Sequence, residues 1–421
     1  MAAVDVHTET IPSTHGLIIQ PPRVRDWRSL SKSGYKLLNT WFLAPLLGYI
    51  IGTLIITRLV AGLIGPSYTI YIVGPLGPRS SQQMRDVFHR AANKSRSVDG
   101  VPVRLQVLDD QGDPVVGRRT AEDLATRDDT LLVIGHFQST TTKEALPVYL
   151  AAKPPVPVIL PTETNSNLLP PKSYPDQHYP VITLMPNDDM QAQTAFLFAT
   201  SRGAKNFWIV QDDVSNTVYS SYLAQQFMDL AQGQQTHVLL RTSPSLVMAA
   251  ATIKQLKIDW VFFAGTWQSA LLFVRQLHAL GVTPAHLVLS DASATPDLLK
   301  AAAAELEGVY VTYPLDANSF NDKQLGAIAE NTISVVDQLL DKANSEFSDA
   351  AARHGGLSYR FHSLLGIHRV GDARSAIVQA IQMTETLSLP YGGASSFDRD
   401  GRADAKFHVW QISKGKFLDV Q

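Results

Sequence analysis

Two short runs of hydroxyl residues, each at the end of an apolar stretch, carry the chemistry most easily read from this sequence. In 133–142, VIGHFQSTTT, the apolar run 131–134 breaks at Gly135, and Ser139, Thr140, Thr141 and Thr142 then open a helix. The first N–H groups of a helix have no partner within it and the helix dipole adds partial positive charge, so such an end receives carboxylates and phosphates. One strand further along, the run 156–160 is followed by Thr162 and Thr164. Two neighbouring strand ends would then offer hydroxyls and amides to one small anion. Ser and Thr also cap helices as a matter of course, and the pattern alone leaves both readings open.

The elements that must position these residues alternate regularly. Strands are predicted over 68–73, 103–108, 131–134, 156–160 and 181–185, with helices over 82–96 and 114–127, the latter opening on Pro114. A second series begins with a helix over 189–201. Strands at 206–210, 237–241, 259–265, 286–290 and 308–314 follow, separated by helices over 218–231, to about 256, and over 269–280. This order is the signature of parallel sheets covered on both faces. The expected class is α/β, with two Rossmann-like lobes facing each other across a cleft. Near the end, KFHVWQI alternates as a half-buried strand.

Length and composition set limits. At 421 residues the chain suffices for two cores, and 36 basic against 38 acidic residues leave no overall charge that favours nucleic acid. Cysteine is absent, which excludes disulfides, thiolate catalysis, Cys-ligated metal centres and a lipidated cysteine tether. A polypeptide anchor is expected instead: residues 37–57 are free of charge, and a second apolar run reaches residue 65. Some twenty apolar helical residues span about 30 Å, a hydrocarbon thickness. Arg58 near the outer boundary would snorkel to the headgroups. Arg23, Arg25, Arg28, Lys32 and Lys36 precede the span, whereas Arg79 alone follows it before Met84. This asymmetry places 1–36 as a cytoplasmic tail, 37–65 as a single transmembrane signal anchor, and the rest outside.

The two hydroxyl phrases, VIGHFQSTTT and VPVILPTETNSNL, resemble in wording and spacing the type I periplasmic binding proteins of the branched-chain amino-acid (Leu/Ile/Val) group, over roughly residues 67–421. The closing GGASSFDRDGRADAKFHVWQISKGKFLDV resembles that family's ending. The resemblance implies three crossings between lobes, expected near 185–187, 313–316 and 389–393. Lobe one would then hold 67–185 and 315–389, and lobe two 186–314 and 390–421. It implies that Ser139, with the amides of Thr140 and Thr141, holds a ligand α-carboxylate, and that Thr162 and Thr164 form a second loop touching carboxylate and ammonium. From the second lobe, Tyr219 and Asp291 would meet the ammonium, and Trp267 would cover an apolar ligand side chain or pack against its own helix. Asp291 equally reads as the cap of a turn. Two departures stand out: Glu163 replaces a usual small residue, where it would add a partner for a cationic ligand or point to water, and Arg79 stands near a position usually aromatic, where it would select an anionic group or remain a solvated charge.

No GxSxG elbow, HExxH pair or GxxxxGK[ST] loop is present, and the 12 histidines are scattered. Asp109, Asp110 and Asp113 fit a strand-end turn better than a calcium loop. The reading is therefore non-enzymatic and without cofactor. One form is a tethered receptor for a small amino-acid-like ligand that serves separate permease and ATPase subunits. The other is a sensor or scaffold ectodomain that passes occupancy to a signalling partner.

Overall fold

The computed structural model of this protein describes residues 45–46, 48–53, 67–78, 81–169, 180–233, 237–242, 245–256, 258, 260–282, 286–353, 370–397 and 401–420. Two units separate, 1–63 and 64–421. In the first, 45–46 and 48–53 are helical. Among the described residues no helix is long and apolar enough to cross a membrane. Most of the anchor expected over 37–65, and all of the tail before it, lie outside the described residues.

The second unit is built on two sheets. The first lobe runs β1 (Tyr68–Gly74), α1 (Gln82–Ala92), β2 (Arg96–Val98), β3 (Val101–Asp109), α2 (Pro114–Thr126), β4 (Thr130–Ile134), α3 (Ser139–Ala151), β5 (Val158–Leu160) and β6 (Val181–Thr183). Its sheet has the order β2-β3-β1-β4-β5-β6, parallel throughout except for β2. The strands read as unbroken apolar runs because helices cover both faces: every residue of β1, β4, β5 and β6 is buried. The helix expected over 82–96 stops at Ala92. Arg96 is held back by Asp337 (Nε to Oδ1, 2.7 Å) and by the Ala91 carbonyl, and the chain returns as the antiparallel edge strand β2.

The second lobe begins with α4 (Asp188–Ser201), capped by the Asn187 side chain, and continues through β7 (Asn206–Gln211), α5 (Thr217–Gly233), β8 (His237–Thr242), α6 (Leu246–Leu256), β9 (Trp260–Ala264), α7 (Trp267–Ala279), β10 (Leu287–Leu289), α8 (Pro296–Ala302) and β11 (Tyr310–Tyr313). A stack of aromatic rings between α4, α5 and the sheet makes this lobe rigid; Phe227 lies on Phe262 with centroids 4.3 Å apart.

The chain then passes through α9 (Ala317–Lys323), α10 (Gly326–Arg353), α11 (Val370–Gln382), β12 (Thr386–Leu389) and β13 (Gly393–Ser396), and ends in the hairpin β14 (His408–Ser413) and β15 (Lys416–Asp419). The second sheet has the order β15-β14-β11-β10-β9-β7-β8. Two crossings move from their expected places. Helix α9 stays with the second lobe, because Asp419 Oδ2 accepts the Ala317 amide at 2.9 Å and the Asn321 side chain donates to the Phe417 carbonyl. The second crossing thus falls at 324–326 rather than 313–316. β13 pairs with β12, and Arg402 bridges Thr183 at the edge of the first sheet, so the third crossing lies beyond Ala403 rather than at 389–393.

Candidate functional site

The loop after β4 needs its glycine. Gly135 has φ +126°, and a Cβ there would lie 1.9 Å from the Val73 carbonyl oxygen of the neighbouring strand. At the end of β1, Gly74 leaves room for the Phe137 ring, which would sit 2.2 Å from any Cβ. The acids of the next loop build a turn and a cap. Asp113 Oδ1 accepts the Val115 amide at 2.7 Å, and Asp110 receives the Gly112 amide and pairs with buried His136 at 2.6 Å. His136 in turn contacts the Tyr149 hydroxyl, so this polar triad fixes the base of the loop that carries Ser139.

Between the lobes lies a cavity of about 590 Å³. Phe137, Ser139 and Thr162 line it from the first lobe, and Asn216, Tyr219, Trp267 and Asp291 from the second. Five of the residues singled out in the sequence therefore share this cavity: Ser139, Thr162, Tyr219, Trp267 and Asp291. Thr140 lies at its edge, where its amide and hydroxyl both donate to Asn216 Oδ1 of the opposite lobe, at 3.1 and 3.3 Å. Thr141 is buried within the first lobe, its methyl against Gly117. Thr164 is buried as well, its carbonyl accepting the Asp188 amide at 2.9 Å. The expectation for Arg79 lies outside the described residues.

The hydroxyl expected to receive a ligand carboxylate already has one. Ser139 Oγ donates to Glu163 Oε1 at 2.8 Å, and the Asn165 amide donates to the same oxygen at 2.9 Å. Glu163 is 2% exposed, so it neither points to water nor faces the cavity as a partner for a cation. Burial pushes its carboxyl up to about 7, with the Asn165 amide, the Ser139 hydroxyl and Arg402 pulling the other way. The Gln138 side chain gives no cap to α3; the Thr140 amide is instead received by Asn216 across the cleft.

On the other wall, the Tyr219 hydroxyl and Gln191 Nε2 both donate to Asp291 Oδ1, the latter at 2.9 Å. Burial raises the Asp291 carboxyl, and burial together with the Asp291 charge raises the Tyr219 hydroxyl well above its ordinary range. Asp188 is wholly buried beside them, and its carboxylate has no hydrogen-bond partner among the described residues. Burial and then the charge of Asp291 push it far up, and Glu163 adds to the effect. Asp212, buried at the end of β7, shapes the opposite rim by accepting the Val214 amide and the Thr266 hydroxyl. Sequence reasoning missed Gln191, Asn216, Asp188 and Asp212. Only Asn216 left a local signal, as an Asn directly before a helix, and it adopts φ +48°.

The periplasmic binding protein family model matches residues 71–416. The chain belongs to that family. Solved structures of similar fold include the leucine-binding protein LivK of Thermotoga maritima, at 18% identity over 84% of this chain and 98% of that one, with TM-score 0.66. LivJ of Streptococcus pneumoniae, solved with isoleucine, is similar at 16% identity over 84% and 99%, with TM-score 0.62. A Rhodopseudomonas palustris solute-binding protein of an ABC transporter, solved with 3,4-dihydroxybenzoic acid, is similar at 12% identity over 84% and 96%, also with TM-score 0.62. At these identities the likeness is one of fold. No curated sequence matches the chain. As a periplasmic binding protein, this chain has a family role in ligand binding rather than catalysis, on two α/β lobes with parallel sheets.

Proposed function

We propose that this protein is an extracytoplasmic solute receptor that closes its two lobes on a small amino-acid-like molecule and presents it to the permease and ATPase subunits of an ABC-type uptake system. The observation that carries the reading is the cavity of about 590 Å³ walled by both lobes, into which Asp291 brings a carboxylate oriented by Tyr219 and Gln191. A volume of this order suits a small organic ligand. Solved structures of the same fold include a leucine-binding protein and a branched-chain amino-acid binding protein in complex with isoleucine, which supports an amine-bearing solute. The anchor over 37–65, with the first 36 residues cytoplasmic, belongs to the same proposal. It rests on the uncharged span 37–57 and on the basic residues that precede it.

Closure takes charge out of water, and this is favourable only where each charge finds a partner. Asp291 supplies that partner for an ammonium, and the face of Trp267, half-buried at the cavity, suits an apolar body. The test is the melting temperature of the full chain, with tryptophan fluorescence as a second signal, across amino acids, amines and small carboxylates. A cleft ligand raises the melting temperature by mass action, and Asp291→Ala removes the rise. If no small solute of any charge class moves either signal, the reading falls.

A further inference from the structure

Acidic side chains line the described part of this cavity from both lobes. Asp291, Asp109 and Asp297 are among the described residues that line the cavity, and none of those residues is Lys, Arg or His. Asp109 and Asp297 are exposed and belong to opposite lobes, so both rims are acidic, with Asp291 deeper inside. At the start of α3, two donors are already engaged from within the protein. The Ser139 hydroxyl is held by Glu163, and the Thr140 amide by Asn216. A carboxylate brought to Ser139 would compete with Glu163 for its one hydroxyl proton, and whichever acid lost it would be left short of a donor. The remaining walls include four aromatic residues, Phe137, Tyr219, Trp267 and Tyr313, which suit an apolar body.

We propose that the ligand of this cavity is an organic cation, an amine carried on an apolar or aromatic body and lacking a carboxylate, with Glu163 standing permanently where an amino acid would place its own acid. The inference rests on the solute-receptor reading and narrows its ligand class. In the bound state the ammonium lies against Asp291, its charge offset by that acid. The body of the ligand fills the space beside Phe137 and Trp267.

The experiment uses two matched series with the full chain near neutral pH, read by calorimetric titration and by melting temperature. One series is 3-methylbutylamine, leucine and 4-methylpentanoate; the other is phenethylamine, phenylalanine and 3-phenylpropanoate. The amine of each series is expected to bind more tightly than its amino acid by about tenfold or more, and the carboxylate not to bind. Asp291→Asn should weaken the amine by a similar factor. Glu163→Ala empties the locus beside Ser139 and should shift preference toward the amino acid by about tenfold. An amino acid or carboxylate that binds the unmodified protein at least as well as its amine overturns the inference and leaves the receptor reading standing. Silence from all six compounds at about 10 mM, far weaker than any useful receptor affinity, overturns the inference; silence across the whole panel of amino acids, amines and small carboxylates overturns the receptor reading with it.

Discussion

Replacing Glu163 by Gln should change how the stability of this protein depends on pH. The substitution keeps the shape of the side chain and an oxygen to accept from Ser139 and from the Asn165 amide, but removes the ionisable proton. In the folded protein burial raises the carboxyl from 4.5 to about 7. Between these values the native state holds a proton that the unfolded chain has released, so stability falls as pH rises. The contribution is fully present below 4.5 and is lost as pH climbs through about 7. A shift of this size corresponds to about 3 kcal/mol. The buried acids Asp188 and Asp291 move in the same direction, so both proteins should lose stability on going to alkaline pH and the informative quantity is their difference. Urea unfolding of the full chain and of Glu163→Gln at intervals from pH 4.5 to 8 should show the wild-type advantage shrinking by about 3 kcal/mol. Removing the Glu163 charge also relaxes Asp188, which enlarges the difference without changing its sign. A difference that stays flat with pH, or grows toward alkaline pH, would refute the placement of Glu163 as a buried, desolvated acid.

Further consequences follow from other contacts. Gly135→Ala forces a Cβ to within 1.9 Å of the Val73 carbonyl at φ +126°; it should destabilise by about 3 kcal/mol or more, seen as a large drop in melting temperature. Asn216→Ala removes the acceptor that joins the lobes through Thr140. Two net hydrogen bonds at about 1 kcal/mol each should shift the protein toward an open form, seen as a larger radius of gyration in small-angle scattering; an unchanged radius would count against the latch. Arg374→Met strips donors from the Thr130 and Arg127 carbonyls, which Arg374 reaches at 2.7 and 3.1 Å from a buried position. Unfolding free energy should fall by about 2 to 3 kcal/mol, with ligand affinity unchanged because none of these groups touches the cavity.

Much of the fold was legible because buried parallel strands leave a plain mark. β1, β4 and β9 are continuous apolar runs, and Pro114 after Asp113 announces a helix start by local chemistry alone. The crossings were misplaced because they depend on contacts far apart in sequence. Asp419 holds the start of α9 across 102 positions, and Arg402 joins an edge strand that ended at Thr183. The site shows the same division. Tyr219, Trp267 and Asp291 reach one cavity because each follows or opens an element whose position the alternation sets. Glu163 stood out in the sequence as an acid among small residues, but its burial was not readable. That depends on how two loops 24 positions apart close on each other.

The resemblance in the hydroxyl phrases and the departure at Glu163 are two sides of one electrostatic fact. A helix start with hydroxyls beside it attracts an anion whichever molecule supplies the anion. Once the acid is covalently part of the neighbouring loop, its effective concentration at Ser139 is fixed by the fold, and a solute's carboxylate must displace it to bind. Glu163 is anchored further by the Asn165 amide, so displacement would break a second hydrogen bond and leave a buried acid without partners. Asp291 differs: Tyr219 and Gln191 donate to it without bringing a positive charge. Under the proposed function, selectivity in this cleft is thus set on one side by an acid that already holds the Ser139 hydroxyl, and on the other by a carboxylate whose described hydrogen-bond partners are neutral.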